Sequence, residues 1–206
     1  MSTTNHQRRE PTQKRSRETV RRILDAAMEL IEEGGVDAAT TRAIAERAGV
    51  SVPSLYRFFA DRNEILDRLV EHHIEGLDAH VAAQPPQVPG SLGEAMLIAL
   101  EAYASYWDEN PGAARLWFEG RASPNVLREV HSQNRKRADE TYAAFVAMGV
   151  LPPGTDPLVT YVAFELGDRV LDMAFRNGAP ADRATIAEGA RALTAYLELS
   201  IPQPAA

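Results

Sequence analysis

The sequence predicts an all-α protein: an N-terminal three-helix headpiece with a helix-turn-helix, then a C-terminal helical bundle, about nine helices in all. Three observations lead there. Apolar residues recur at three- and four-residue spacing through most of the chain. No stretch of useful length alternates with the period of two that a half-buried strand needs. Clusters of Gly, Pro and Asn punctuate the periodic segments at helix-length intervals.

Taken in order, the first helix is expected from about Arg17 to Glu33, with Val20, Ile23, Leu24, Ala27, Leu30 and Ile31 on one face. Gly34-Gly35 ends it, because glycine readily takes the left-handed conformation that closes a helix. Two short helices follow, Thr41 to Ala48 and Val52 to Phe59. A longer one starts near Arg62, with Asp61 as its cap and Glu64 placed for a capping-box return bond. Its apolar stripe reads Ile65, Leu66, Leu69, His73, Leu77 and Val81, and Gln84 to Gly90 breaks the chain. Further helices are expected over Ser91 to Glu109, Gly112 to Ala122, Pro124 to Met148, Pro157 to Arg176 and Ala181 to Leu199. The expected organisation is a flexible basic arm over 1–16, a helix-turn-helix headpiece over 17–62 and a helical domain over 63–206.

Composition narrows the function classes. The 206 residues contain no cysteine, which excludes disulfides, thiolate metal sites and a cysteine nucleophile. No segment approaches the roughly 18 consecutive apolar residues that span a bilayer. The polar, basic start lacks the apolar core of a signal peptide, so a soluble cytoplasmic protein is expected, with no membrane partner. The net charge of -7 argues against nucleic acid only if it is evenly spread, and it is not. Residues 1–22 carry Arg8, Arg9, Lys14, Arg15, Arg17, Arg21 and Arg22 against Glu10 and Glu18, about +5 in all. Phosphate attraction is local, screened within about 8 Å at physiological salt, so a basic end on an acidic body remains able to bind DNA.

The informative stretch is Thr40 to Phe59, TTRAIAERAGVSVPSLYRFF. Thr40 suits the cap of a first helix whose Ile44 and Ala45 face inward. Gly49 lies where a tight inter-helix turn needs a residue without a Cβ. Ser51 suits the cap of a second helix, and Pro53 falls in its first turn, where a missing N–H matters little. Leu55 and Phe59, four apart, anchor that helix to the core. Val52, Pro53, Ser54, Tyr56, Arg57 and Phe58 are then directed outward. Arg reads guanine or phosphate, hydroxyls bond phosphate, and Val52 and Pro53 suit a thymine methyl. The arm around Arg15, Arg17 and Arg21 suits a minor groove or phosphates.

Continued to Leu66, the stretch resembles the TetR family of bacterial regulators, whose pattern reads T-x-x-x-I-A-x-x-A-G-V-S-x-x-T-L-Y-x-Y-F-x-x-K-x-x-L. The resemblance covers about residues 17 to 80. It implies that Thr40, Thr41 and Arg42 contact phosphate or base, that Ser51 to Phe58 form the recognition surface, and that Tyr56 clamps the DNA backbone. Arg62 stands where the family commonly has a phosphate-touching lysine. Ser54 replaces the usual threonine, and Phe58 stands where the family often has Tyr or His, which removes a polar contact.

The same resemblance implies a second domain that binds a small-molecule inducer of unstated identity and dimerises. Aromatic residues concentrate in its middle helices, and the candidate pocket comprises Tyr103, Trp107, Trp117, Phe118, Arg121, His131, Asn134, Tyr142, Tyr161, Phe164, Glu165 and Asp168. Packing aromatics of an ordinary core is the competing reading for each. The last two helices are the candidate dimer interface, through Val159, Val162, Leu166 and Val170 on one and Ile186, Ala190, Leu193 and Leu197 on the other. A twofold dimer presents two recognition helices, so a palindromic double-stranded operator is expected.

The resulting reading is a homodimeric repressor released by a small molecule, with no cofactor and no metal. One alternative is a DNA-binding regulator that acts without a ligand or as an activator. An all-α enzyme is a further alternative, with Glu165 and Asp168 on one helix face imitating an acid/base pair. His73 and His80 share a side but lie two turns apart, too far to chelate one ion. No Walker loop, dinucleotide glycine pattern or nucleophile elbow is present.

Overall fold

The computed structural model describes residues 9–85, 87–119 and 124–200. Among these residues there are nine α-helices, one 3-10 turn and no strand. The helices are α1 Arg9–Gly34, α2 Thr41–Arg47, α3 Val52–Leu55, α4 Arg62–Ala83, α5 Leu92–Glu109, α6 Pro111–Phe118, α7 Pro124–Ala147, α8 Pro157–Ala174 and α9 Arg183–Ser200. The 3-10 turn, Val36–Ala38, joins α1 to α2.

Three boundaries differ from expectation by four residues or more; one is the end of α6, which stops at Phe118, the expected end at Ala122 lying outside the described residues. Helix α1 begins at Arg9 rather than near Arg17, so residues 9–16 of the expected arm are helical, and residues 1–8 lie outside the described residues. Pro11 falls in the first turn, where its missing N–H removes no helical bond, and no breaker follows until Gly34. Helix α3 stops at Leu55, four residues short of the expected Phe59. Beyond it the backbone tightens to i→i+3 bonds, Arg57 N–H to Ser54 O at 3.2 Å and Phe58 N–H to Leu55 O at 2.9 Å.

The capping chemistry is as the residue types dictate. Thr40 Oγ1 accepts from Ala43 N–H, and Ser51 Oγ accepts from Ser54 N–H, both at 3.2 Å. Asp61 Oδ1 accepts from Glu64 N–H at 2.9 Å, while the Glu64 carboxylate reaches back to Ala60 N–H at 2.5 Å, one residue before the cap. Gly49 takes φ +64 in the α2–α3 turn, the positive-φ backbone that a side chain strains. Gly35 also has positive φ, but with ψ 176 its backbone is extended rather than left-handed helical.

Two hydrophobic cores result. The first joins Ile23, Ala27 and Ile31 of α1 with Ile44, Ala45, Leu55 and Phe59 of the helix-turn-helix. The second is built from α5, α6, α8 and α9 around Trp107, Leu100, Leu171, Ile186 and Leu197. Helix α4 belongs to both: Ile65, Leu66, Leu69, Val70 and Ile74 enter the first core and Leu77 the second. Trp117 packs against both as well. Helix α6 also lies against α1, where Arg115 Nη1 donates to Glu32 O at 3.2 Å, a cation satisfying open carbonyls near a helix C-terminus.

Candidate DNA interface and ligand site

The helix-turn-helix is held by its buried side. Ile44, Leu55 and Phe59 sink into the headpiece core, and Arg47 on α2 pairs with Glu33 of α1 at 2.8 Å and Glu29 at 3.1 Å. What remains outward is a face containing Arg42, Ser51, Pro53, Tyr56 and Arg57, with Thr40 exposed at the start of α2. Thr41, Val52 and Ser54 are half-buried beside it. Tyr56 is 51% exposed, a large aromatic left in water with its hydroxyl free to donate. Thr40 and Ser51 use an oxygen lone pair for capping, which leaves each hydroxyl proton available to a phosphate. Arg17 is exposed on α1.

Two expected DNA-facing residues turn elsewhere. Phe58 is half-buried and packs against the headpiece core, because the tightened turn after Leu55 rotates it inward. Arg62 is not a free phosphate-touching cation. Its Nε donates to Ala39 O at 2.8 Å, its Nη2 donates to Val36 O, and Asp37 lies 3.8 Å away. The guanidinium ties α4 to the 3-10 turn, whose carbonyls need donors.

Inside the bundle, small cavities of about 20 Å³ and 70 Å³ share Tyr103, Phe164, Asp168 and Leu171 in their walls. These rings meet edge-on with centroids 5.9 Å apart. Trp107, Trp117, Phe118, Asn134 and Asp168 complete the expected residues of the smaller cavity, and Ile74 and Leu77 of α4 form part of its wall. Larger volumes of about 740 Å³ and 710 Å³ lie between α1 and α4. Those are open surface grooves, the first rimmed by Glu64, Glu71 and Glu75, and lack the enclosure that holds a small molecule.

Arg137 was not expected at the cavity, yet it organises the polar side. Its Nε donates to Asp78 Oδ1 of α4 at 2.6 Å, and its Nη1 donates to Asn134 Oδ1 at 3.2 Å. Asn134 Nδ2 donates onward to Asp168 Oδ2 at 2.6 Å and Glu165 Oε1 at 3.4 Å. One polar chain therefore runs from α4 through α7 to α8. The i,i+3 spacing of Asn134 and Arg137 on one helix face was the signal available in sequence. Burial pushes the Asp168 carboxyl up to about 6 and the Tyr103 hydroxyl up to about 12.

Other expected pocket residues lie elsewhere. His131 is exposed on α7, because that helix turns Val130 and Asn134 inward instead. Tyr161 faces Arg135, whose guanidinium carbon stands 4.9 Å from the ring centre. Tyr142 packs on the bundle core without lining either cavity, and Glu165 touches the site only through Asn134. Arg121 lies outside the described residues.

The expected dimer face needs the largest correction. Ile186, Ala190, Leu193 and Leu197 are all buried within the subunit, where α9 lies against α5 and α8. Val170 is occupied by Gly189: a Cβ at that glycine would run into the Val170 side chain, so the two helices approach closely there. Val159 and Val162 are half-buried. The exposed large apolar residues on α8 are Leu158, Leu166 and Met173, and Leu199 is exposed at the end of α9.

An outward helix-turn-helix on a compact headpiece, followed by a helical domain with an enclosed aromatic site, defines a DNA-binding transcription regulator. Comparison with known proteins specifies which kind. Residues 23–69 match the family model described as bacterial regulatory proteins, tetR family, and residues 91–197 match the tetracyclin repressor-like C-terminal domain. The chain belongs to the TetR family. It is 41% identical over 63 residues to the HTH-type transcriptional repressor KstR of Mycolicibacterium smegmatis, covering 31% of each chain. It is 31% identical over 110 residues to the HTH-type transcriptional activator FasR of the same species, covering 52% of this chain and 50% of that one. The match to KstR thus spans about a third of that relative's length. A crystal structure of a TetR-family transcriptional regulator from Streptomyces coelicolor superposes with TM-score 0.62 at 27% identity, over 89% of this chain and 99% of that one.

Proposed function

We propose that this chain is a ligand-responsive transcriptional repressor of the bacterial cytoplasm, binding a palindromic operator as a homodimer and released by a small molecule. The observation that carries the reading is helix α4. Its first half is part of the DNA-binding headpiece core, and Ile74 and Leu77 are part of the wall of the enclosed aromatic cavity. Parting that wall to admit a molecule displaces the helix that carries the headpiece. A ligand changes DNA affinity only through unequal affinity for two states, and a shared helix provides that inequality.

Within this proposal Arg42, Ser54, Tyr56 and Arg57, with the Thr40 and Ser51 hydroxyls, meet the DNA, and the two copies join through α8 and α9. Leu158, Val162, Leu166 and Met173 recur at four-, four- and seven-residue spacing, one stripe along α8. A second copy covering this stripe removes it from water.

The test is selection of bound duplexes from random DNA, followed by anisotropy titration of the enriched sequence at fixed salt. An inverted repeat bound by two subunits is expected. Enrichment of a single asymmetric half-site bound by one subunit would sink the dimeric operator reading. KstR and FasR carry opposite signs of control in their names, so a promoter-fused reporter decides repression from activation.

A further inference from the structure

The unfilled hydrogen-bonding capacity at the cavity identifies the chemistry of what enters it. Arg137 has three guanidinium nitrogens, and two are committed, Nε to Asp78 and Nη1 to Asn134. The third, Nη2, is fully buried and has no acceptor among the described residues. An unpartnered donor of a charged group inside a protein is costly, by more than the few kcal/mol of a neutral one, unless something it binds supplies the acceptor. Arg137 lines the smaller cavity together with Trp107, Trp117 and Phe118, so an acceptor placed there sits on an apolar body among aromatic rings.

The charges around the site set the ligand's own charge. Asp78 and Asp168 flank the Arg137–Asn134 pair, and Glu165 lies at the far side of Asn134. Two carboxyl groups, Asp78 and Asp168, thus stand near one guanidinium, with Glu165 a step further away beyond Asn134. An added carboxylate meets repulsion from Asp168 and Glu165 in a medium of low dielectric. An added ammonium leaves Nη2 without its acceptor and stands beside a like charge. An uncharged acceptor satisfies the open donor and adds no charge beside the Arg137–Asp78 ion pair.

Resting on the ligand-responsive reading above, we infer that the inducer is an uncharged, mainly apolar molecule carrying a carbonyl-type acceptor, which Arg137 Nη2 recognises. Its apolar body parts Tyr103 from Phe164 and joins the two cavities. The guanidinium that takes the ligand through Nη2 holds Asp78 of α4 through Nε, so the ligand and α4 are anchored on one side chain.

Four probes on one two-ring frame test this: 4-phenylcyclohexanone, phenylcyclohexane, 4-phenylcyclohexanecarboxylic acid and 4-phenylcyclohexylamine. Calorimetry on the full chain is expected to rank the ketone first, about tenfold or more tighter than the hydrocarbon, the worth of one charge-assisted hydrogen bond. Tighter binding of the acid or the amine overturns the inference, as does equal binding of ketone and hydrocarbon or no binding of any probe. Arg137→Met and Arg137→Gln, each checked for an unaltered melting transition, are expected to erase the ketone's advantage. Should either variant unfold, the wild-type ranking alone decides. Anisotropy of the enriched operator duplex, run in parallel, separates the two claims. A ketone that binds and leaves DNA affinity unchanged defeats the ligand-responsive reading and spares the donor assignment. An acid that binds best and releases DNA does the reverse.

Discussion

Trp107 and Trp117 stack with ring centroids 5.5 Å apart and planes inclined by 28°. Trp107 lies in the bundle core, whereas Trp117 touches both that core and the headpiece core, so the stack is a direct mechanical bridge. These are the chain's two tryptophans. Tryptophan emission, excited selectively, therefore reports on the cavity wall alone. Trp117→Ala is expected to lower stability by about 3 kcal/mol in urea unfolding, from lost aromatic contact and the void it leaves. An unchanged midpoint would show that the two cores do not share this side chain in solution.

Arg62 and Tyr56 are expected to separate folding from DNA binding. Arg62→Ala leaves the Val36 and Ala39 carbonyls without their donor and is expected to cost about 1–3 kcal/mol. Tyr56→Ala removes an exposed side chain and is expected to leave the melting temperature unchanged while weakening binding to all duplexes alike. Arg57→Ala is expected to alter the preferred sequence instead. Equal losses across every operator variant for both substitutions would refute this division.

Two half-buried titratable groups pull the acid stability in opposite directions. The Asp168 carboxyl, raised by burial from 3.8 to about 6, binds more protons folded than unfolded. Its contribution is complete below about 3.8 and is lost as pH rises through about 6. Asp168→Asn is therefore expected to stabilise the protein at pH 7.5 and to make little difference at pH 4. The residue is only half-buried, which puts the gain at about 1–3 kcal/mol. His73 is lowered to about 4 by burial and then by His72, and its Nδ1 lies 2.8 Å from the Tyr106 hydroxyl. Its contribution is present above 6.5 and lost as pH falls through about 4. His73→Gln is expected to flatten the acid limb. Urea midpoints at pH 4, 6 and 7.5 check both signs.

Substitutions on α8 and α9 test which face meets the second copy. Leu166→Glu with Met173→Glu places charge on the exposed stripe and is expected to give folded monomers with reduced operator affinity, seen by sedimentation. Leu193→Glu introduces charge into the subunit's own core and is expected to unfold it. A folded monomer from Leu193→Glu would return the interface to the buried face of α9.

The caps and the turn of the headpiece were legible in the sequence because their determinants are local, whereas the ends of α1 and α3 and the packing of Phe58 and Arg62 were not. Caps at Thr40, Ser51 and Asp61 lie within three residues of the amides they satisfy, and Gly49 sets its own backbone conformation. The ligand site was legible only in part. Tyr103, Trp107, Trp117, Phe118, Asn134, Phe164 and Asp168 meet at the cavity, but so does Arg137, which nothing in its immediate neighbourhood except Asn134 marks out.

The amino-acid sequence by itself determined the helical class, the helix-turn-helix and the membership that its motif announces. Periodicity, capping and turn chemistry act over a few residues and leave their record in the chain order. Tertiary structure alone decided which apolar stripe of α9 is core, where Arg62 points and how α4 reaches two cores. Leu193 and Leu166 are equally apolar in sequence. One meets α5 from the far side of the chain and the other meets water, and no local rule distinguishes them.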